Sequence, residues 1–143
     1  MATAGSGSAS GSAGAGVRVA LLGIGLMGNK MARRLRDVGF EVVAWNRTLS
    51  AAQQLANCGC SVAATAREAI DNADVVLLML ADARAIEATI LDDASACSSL
   101  RGKTVLQMGT IGPQSSRDIA ARVREAGADY LEAPVLGSQP EVR

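Results

Sequence analysis

From Val17 onward, short apolar runs alternate with longer stretches whose apolar residues recur at helical spacing. The runs VRVALLG (17–23), EVVAW (41–45), SVA (61–63), DVVLLML (74–80), KTVLQMG (103–109) and DYLEAPV (129–135) predict six strands. DVVLLML is apolar almost throughout, the pattern of a parallel strand covered on both faces. Between the runs, LMGNKMARRLRDVG (26–39) sets Met27, Met31, Leu35 and Val38 on one helical face and Lys30, Arg33, Arg34 and Arg36 on the other, and Gly39 ends it. Helices are also predicted over LSAAQQLANCG (49–59), ended by Gly59, over AREAIDNA (66–73), over ARAIEATILDD (83–93) and over PQSSRDIAARVREAG (113–127), with Pro113 near its start.

Strands that alternate with helices imply an α/β fold with a doubly wound parallel sheet, right-handed crossovers and the strand order 3-2-1-4-5-6. The chain has 143 residues, enough for one domain with a real core and short for two. Residues 2–16, ATAGSGSASGSAGAG, hold nothing that can bury apolar surface, so 1–16 reads as a flexible tail and 17–143 as the domain. A short targeting peptide is the alternative for the tail, since it is serine-rich and acid-free.

Composition narrows the chemistry. Lys plus Arg and Asp plus Glu are 14 each, so no charge imbalance draws the chain to nucleic acid or to an anionic membrane, and no apolar run approaches a membrane span. Histidine is absent, which removes the usual general base and the commonest metal ligand. The three cysteines, Cys58, Cys60 and Cys97, do not have zinc-site spacing and read as reduced thiols with no metal. That suits a reducing compartment; the expected location is cytoplasmic, with plastid or mitochondrion as the alternative.

Gly23, Gly25 and Gly28 form a G-x-G-x-x-G turn directly after the first strand and at the mouth of the first helix. In that context the first glycine permits the tight turn, the second lets a pyrophosphate approach the backbone, and the third lets helix and sheet pack closely. The helix N-terminus then offers free N–H groups to the phosphates. This is the pattern of a Rossmann dinucleotide-binding domain. At the end of the second strand an NAD site carries Asp or Glu for the ribose hydroxyls. Here the residues are Asn46, Arg47 and Thr48. No acid repels a 2′-phosphate, and Arg47 can pair with one, so NADP(H) is expected over NAD(H).

The motifs GIGLMGNKMARRL, WNRTLS, MLAD, QMGTIGP and LEAPVLGS, in that order, resemble the β-hydroxyacid dehydrogenase family, whose cofactor domain is of the 6-phosphogluconate dehydrogenase type. Within it they are most similar to the glyoxylate/succinic semialdehyde reductase branch, and also to 3-hydroxyisobutyrate dehydrogenases. The likeness runs from about Val17 to Glu141 and matches the N-terminal half of such a protein. The resemblance implies that Gly23, Ile24, Gly25, Leu26, Met27 and Gly28 hold the pyrophosphate, and Asn46, Arg47 and Thr48 the 2′-phosphate side. It implies that Leu80, Ala81 and Thr110 line the cofactor, and that Gly137 and Ser138 meet the carboxylate of a small aldehyde acid.

Three departures from the family pattern stand out. Gly109 replaces the serine of an S-T pair, and Leu136 replaces the serine of P-V-S-G. The family's catalytic lysine belongs to a second, helical domain beyond the matched stretch. Lys30 and Lys103 are the chain's two lysines, read as surface residues that do not replace it. No catalytic residue is therefore assigned. The expected function is the NADPH-binding half of an oxidoreductase that reduces glyoxylate or succinic semialdehyde. The alternative is a truncated, inactive NADP-binding module that associates with full-length subunits or with itself. Without a helical domain, apolar surface from Tyr130 to Leu136 is expected to be exposed.

Overall fold

The computed structural model describes residues 16–133. Its order is β1 (Arg18–Leu22), α1 (Leu26–Asp37), β2 (Glu41–Trp45), α2 (Leu49–Gln53), β3 (Ser61–Val62), α3 (Ala66–Asp71), β4 (Val75–Leu78), α4 (Ala83–Ile86), α5 (Ala94–Ser99), β5 (Thr104–Gln107), α6 (Pro113–Glu125) and β6 (Asp129–Glu132). The six strands form one sheet in the order β3-β2-β1-β4-β5-β6, and each neighbouring pair is parallel. This is the doubly wound order that the strand–helix alternation predicts. The reading of 1–16 as a flexible tail falls, except for Gly16, outside the described residues, as do Gly137 and Ser138.

The pleat divides the core into two layers. Along β1, Ala20 and Leu22 point to one face and join Val76, Leu78, Ile86, Ile90, Leu100, Val105, Ile119 and Val123. Val19 and Leu21 point to the other face and join Ala32, Val42, Ala44, Ala52, Leu55 and Leu77. The same alternation in β4 explains its unbroken apolar run, because both of its faces are covered.

Several elements differ from the periodicity. Residues 83–93 are not one helix: α4 passes into a π-helical turn over Glu87–Leu91. Arg122 on α6 pairs with both Glu87 and Asp92, at 4.0 and 3.1 Å, and so clasps this turn. A further helix, α5, follows where the serine-rich ASACSS gives little apolar signal. Asp93 starts it by accepting from the Ser95 and Ala96 backbone N–H groups, and Ala96 and Leu100 anchor it in the core. The helix over 49–59 changes into a 3₁₀ segment at Gln54–Cys58 before Gly59 ends it.

Two side chains lie where periodicity did not put them. Arg36 is half-buried rather than on a solvent face; its Nη1 donates to the Phe40 carbonyl at 2.9 Å. Tyr130 is buried, with its hydroxyl 3.1 Å from Ser116 Oγ on α6, and burial raises its phenol pKa. Of the apolar surface expected to be exposed from Tyr130 to Leu136, Tyr130 is thus buried, Leu131 is 57% exposed, and residues 134–136 lie outside the described residues.

Candidate cofactor site

The carboxyl ends of β1, β2 and β4 open into one cleft of about 660 Å³. It lies where the strand order reverses about β1, the position that open α/β sheets reserve for ligands. A cavity of this size suits a small organic ligand or cofactor.

The glycine loop forms its floor. Gly23 has φ +104°, and a side chain on it would meet the Met79 carbonyl oxygen at 2.5 Å, so the loop lies directly on the end of β4. A side chain on Gly28 would overlap the Gly23 carbonyl oxygen, which lets α1 begin against the turn. Gly25 has a different role. It borders the cleft, and nothing lies within 4 Å of the place its side chain would occupy. It is also the N-cap of α1 and offers no side chain to the first-turn N–H groups. Open space beside uncapped N–H groups at a helix N-terminus fits a pyrophosphate.

Asn46 ties the loop to β2. Its Oδ1 accepts from the Ile24 N–H at 2.8 Å, and its Nδ2 donates to the Thr48 carbonyl at 3.0 Å. The Gly23 N–H donates to the Trp45 carbonyl at 3.0 Å. The asparagine side chain thus joins the glycine loop to the turn that follows β2. Arg47 follows it, exposed and on the cleft wall.

Of the residues read from the sequence, Gly23, Ile24, Gly25, Asn46, Arg47, Leu80 and Ala81 come together around this cleft. Leu26 is 70% exposed and borders, together with Lys30, a smaller hollow that shares Ile24 and Gly25 with the cleft. Met27 is half-buried on α1 and Gly28 is buried. Thr48 is the N-cap of α2, without a side-chain cap bond, and Thr110 is exposed beyond β5; neither borders the cleft. Lys103 lies away from the cleft, with Nζ 2.6 Å from the Ala73 carbonyl.

Sequence reasoning missed the wall opposite the glycine loop. Ala64, Thr65 and Ala66 follow β3, while Ala85, Ala88 and Thr89 come from α4 and the π-helical turn. The spacing of 85, 88 and 89 puts three small residues on one helical face, a signal present in the sequence.

The loop after β5 is held by Gln107, which is fully buried. Its Nε2 donates to the Gly109 carbonyl at 2.8 Å, and its Oε1 accepts from the Gly109 N–H at 3.3 Å. A side chain on Gly109 would lie 2.9 Å from the Leu80 carbonyl oxygen. That contact between the β4 and β5 loops gives a physical reason for glycine where the family pattern has serine.

Residues 18–143 match the family model described as the NAD binding domain of 6-phosphogluconate dehydrogenase. The chain belongs to this family. It is 38% identical over 121 residues to the NAD-dependent L-serine dehydrogenase of Pseudomonas aeruginosa, a match that covers 84% of this chain and 41% of that protein. It is 32% identical to glyoxylate/succinic semialdehyde reductase 1 of Arabidopsis thaliana, over 86% of this chain and 43% of the other. Among solved structures, the imine reductase of Myxococcus stipitatus in complex with NADP+ superposes with a TM-score of 0.82 at 25% identity, over 86% of this chain and 42% of that one. The chain thus spans about four-tenths of the length of these relatives, and what it aligns with is an NAD(P)-binding domain of the hydroxyacid dehydrogenase family. Among the described residues no helix is long and apolar enough to cross a membrane.

Proposed function

We propose that the chain is the NADPH-binding part of an oxidoreductase that reduces small aldehyde acids of the glyoxylate or succinic semialdehyde type. The observation that carries the cofactor choice is the end of β2. Arg47 stands on the cleft wall with no acid beside it in Trp45–Asn46–Arg47–Thr48. A carboxylate there would favour free ribose hydroxyls, whereas a guanidinium pairs with a 2′-phosphate in a two-pronged, charge-assisted contact. Asp93 also borders the cleft, but its carboxylate is engaged in capping α5.

The chain's own residues bind and orient. The backbone at Gly25 and the first turn of α1 receive the pyrophosphate, and Asn46 keeps Ile24 and Thr48 at a constant separation while they do so. Leu80 and Ala81 line the cleft on the side of β4, and the family resemblance, rather than the cleft lining, is what assigns Thr110 to the nicotinamide end. The bound cofactor supplies hydride for the aldehyde carbon. Neither lysine borders the cleft, so neither is assigned as the proton donor to the resulting alkoxide. Gly137 and Ser138 would meet the substrate carboxylate.

The catalytically silent module remains the second reading, and the position of the two lysines supports it. Lys30 borders the smaller hollow rather than the cleft and Lys103 bonds to Ala73. On this reading the chain alone binds NADPH and turns over no aldehyde. A well-placed general acid contributes on the order of 10²–10⁴ in rate, so its absence would be plain in an assay.

Fluorescence titration with NADPH and NADH tests the cofactor choice. Tighter NADPH is expected, and Arg47→Asp should weaken NADPH by about tenfold or more while leaving NADH within about twofold. Equal affinities in the unmodified chain would overturn it. Loss of NADPH absorbance with glyoxylate or succinic semialdehyde, catalysed by the chain alone, would overturn the silent reading.

A further inference from the structure

We propose that Cys58 and Cys60 form a reversible dithiol–disulfide pair, closed by exchange with a low-molecular-weight disulfide of the glutathione class. Their sulfurs stand 3.7 Å apart across a single residue. A disulfide needs about 2.05 Å, so closure asks for a movement of less than about 2 Å. Gly59 makes the approach possible. With φ +94° it ends the 3₁₀ segment and turns the chain back, so that the side chains before and after it meet.

The surroundings assign the two sulfurs different parts. Cys58 is half-buried and its Sγ donates to the Leu55 carbonyl at 3.2 Å, whereas Cys60 is 6% exposed within the core layer of Leu55 and Val42. A dissolved disulfide reaches Cys58 first. Arg36 lies over the turn: its guanidinium nitrogens are 3.0–3.1 Å from the place a Gly59 side chain would occupy, and its buried Nε has no partner. An unengaged donor and a positive charge thus lie beside the turn that carries the pair. Burial, then the hydrogen bond to Cys58 and the charge of Cys58, push the Cys60 thiol up to about 12, while Arg36 lowers it. Among the described residues no three potential metal ligands gather, so the pair has no third partner for a cation.

In the first step the Cys58 thiolate attacks one sulfur of glutathione disulfide. A Cys58–glutathione bond forms, the glutathione S–S bond breaks, and the released thiolate takes the proton that Cys58 gave up. Cys60 then loses its proton and attacks the Cys58 sulfur, and the second glutathione leaves as a thiolate that takes that proton. Two protein thiols are oxidised by two electrons and one external disulfide is reduced to two thiols. Cys97 lies against the other core layer, away from this pair, and can form only the mixed adduct.

The test incubates the folded chain with glutathione disulfide, alkylates the remaining thiols, and weighs the tryptic peptide 48–67, which holds both cysteines. The expected peptide lacks the mass of two hydrogens, resists alkylation, and regains both thiols with dithiothreitol. Cys60→Ser should stop at a lasting glutathione adduct on Cys58, and Cys58→Ser should leave Cys60 unmodified. Circular dichroism checks that both variants fold, and the result for the unmodified chain stands without them. A lasting adduct on Cys58 in the unmodified chain, or no reaction at either cysteine, would overturn the proposal. No cofactor enters the assay, so its outcome is independent of the NADPH reading.

Discussion

Two loops leave the carboxyl edge of the sheet, one after β1 and one after β5, and each is held by a side-chain carboxamide. They are held differently. The glycine loop is fastened by Asn46, twenty-two residues from Ile24 and just beyond the end of β2, a half-exposed residue that lines the cleft. The β5 loop is fastened by Gln107, two residues away and fully buried. A half-exposed fastening can exchange for water at small cost, whereas a buried amide that loses its partner has no replacement. The glycine loop therefore owes its shape mainly to glycine geometry, and the β5 loop owes its shape to one side chain.

Gly23→Val attacks the glycine geometry and should have the largest effect. It forces a β-branched residue to φ +104° and drives a side chain into the Met79 carbonyl. We expect a loss of about 3 kcal/mol or more and no measurable cofactor binding, read by urea denaturation and fluorescence titration. A variant as stable as the parent would mean that the loop is not pressed onto β4.

Gln107→Ala comes next. It leaves the Gly109 N–H and C=O without their partner and empties buried volume, for a loss of about 2–4 kcal/mol in the same denaturation experiment. A loss below about 1 kcal/mol would show that the β5 loop finds other partners, and the contrast between the two fastenings would fail.

Asn46→Ala should cost only about 1 kcal/mol, since Asn46 is half-exposed and its bond to Ile24 is only partly buried. It should weaken NADPH and NADH alike, by roughly fivefold each, because it loosens the loop common to both. Selective loss of NADPH would instead make Asn46 a direct contact of the 2′-phosphate.

Gly25→Ala is the mildest in stability. Its backbone lies in the extended region and its missing side chain would meet nothing, so about 0.5 kcal/mol is the expected cost, set by the poorer N-cap. Its effect on binding should be far larger, about tenfold or more, because the added methyl occupies the space beside the α1 N-terminus. Unchanged binding would place the pyrophosphate elsewhere.

Much of this was readable along the chain. The six strands, their order and the glycine loop follow from apolar runs of strand length, from helical spacing between them, and from glycines at a strand–helix junction. These are local patterns that one dominant force, the burial of apolar faces, converts into a sheet covered on both sides. The gathering of Gly23, Gly25, Asn46 and Arg47 was also legible, because a parallel sheet brings the carboxyl ends of its strands to one edge.

Other features needed the folded molecule. ASACSS becomes a helix because Asp93 caps it and Ala96 finds the core, and neither effect is visible in its composition. Arg36 carries a charge that periodicity places in water, yet Phe40 and the turn at Gly59 hold it half-buried. Asn46, read as a ligand donor, also fastens the glycine loop to the turn after β2, a tie that only the folded chain reveals. Gly109 reads as a departure from a pattern and sits where the Leu80 carbonyl leaves room for no side chain. The sequence by itself determined which segments bury apolar faces and where the chain must turn. Only the tertiary structure decided which polar groups meet, because a hydrogen bond or a close backbone approach depends on ångström-scale positions set jointly by elements far apart in the chain.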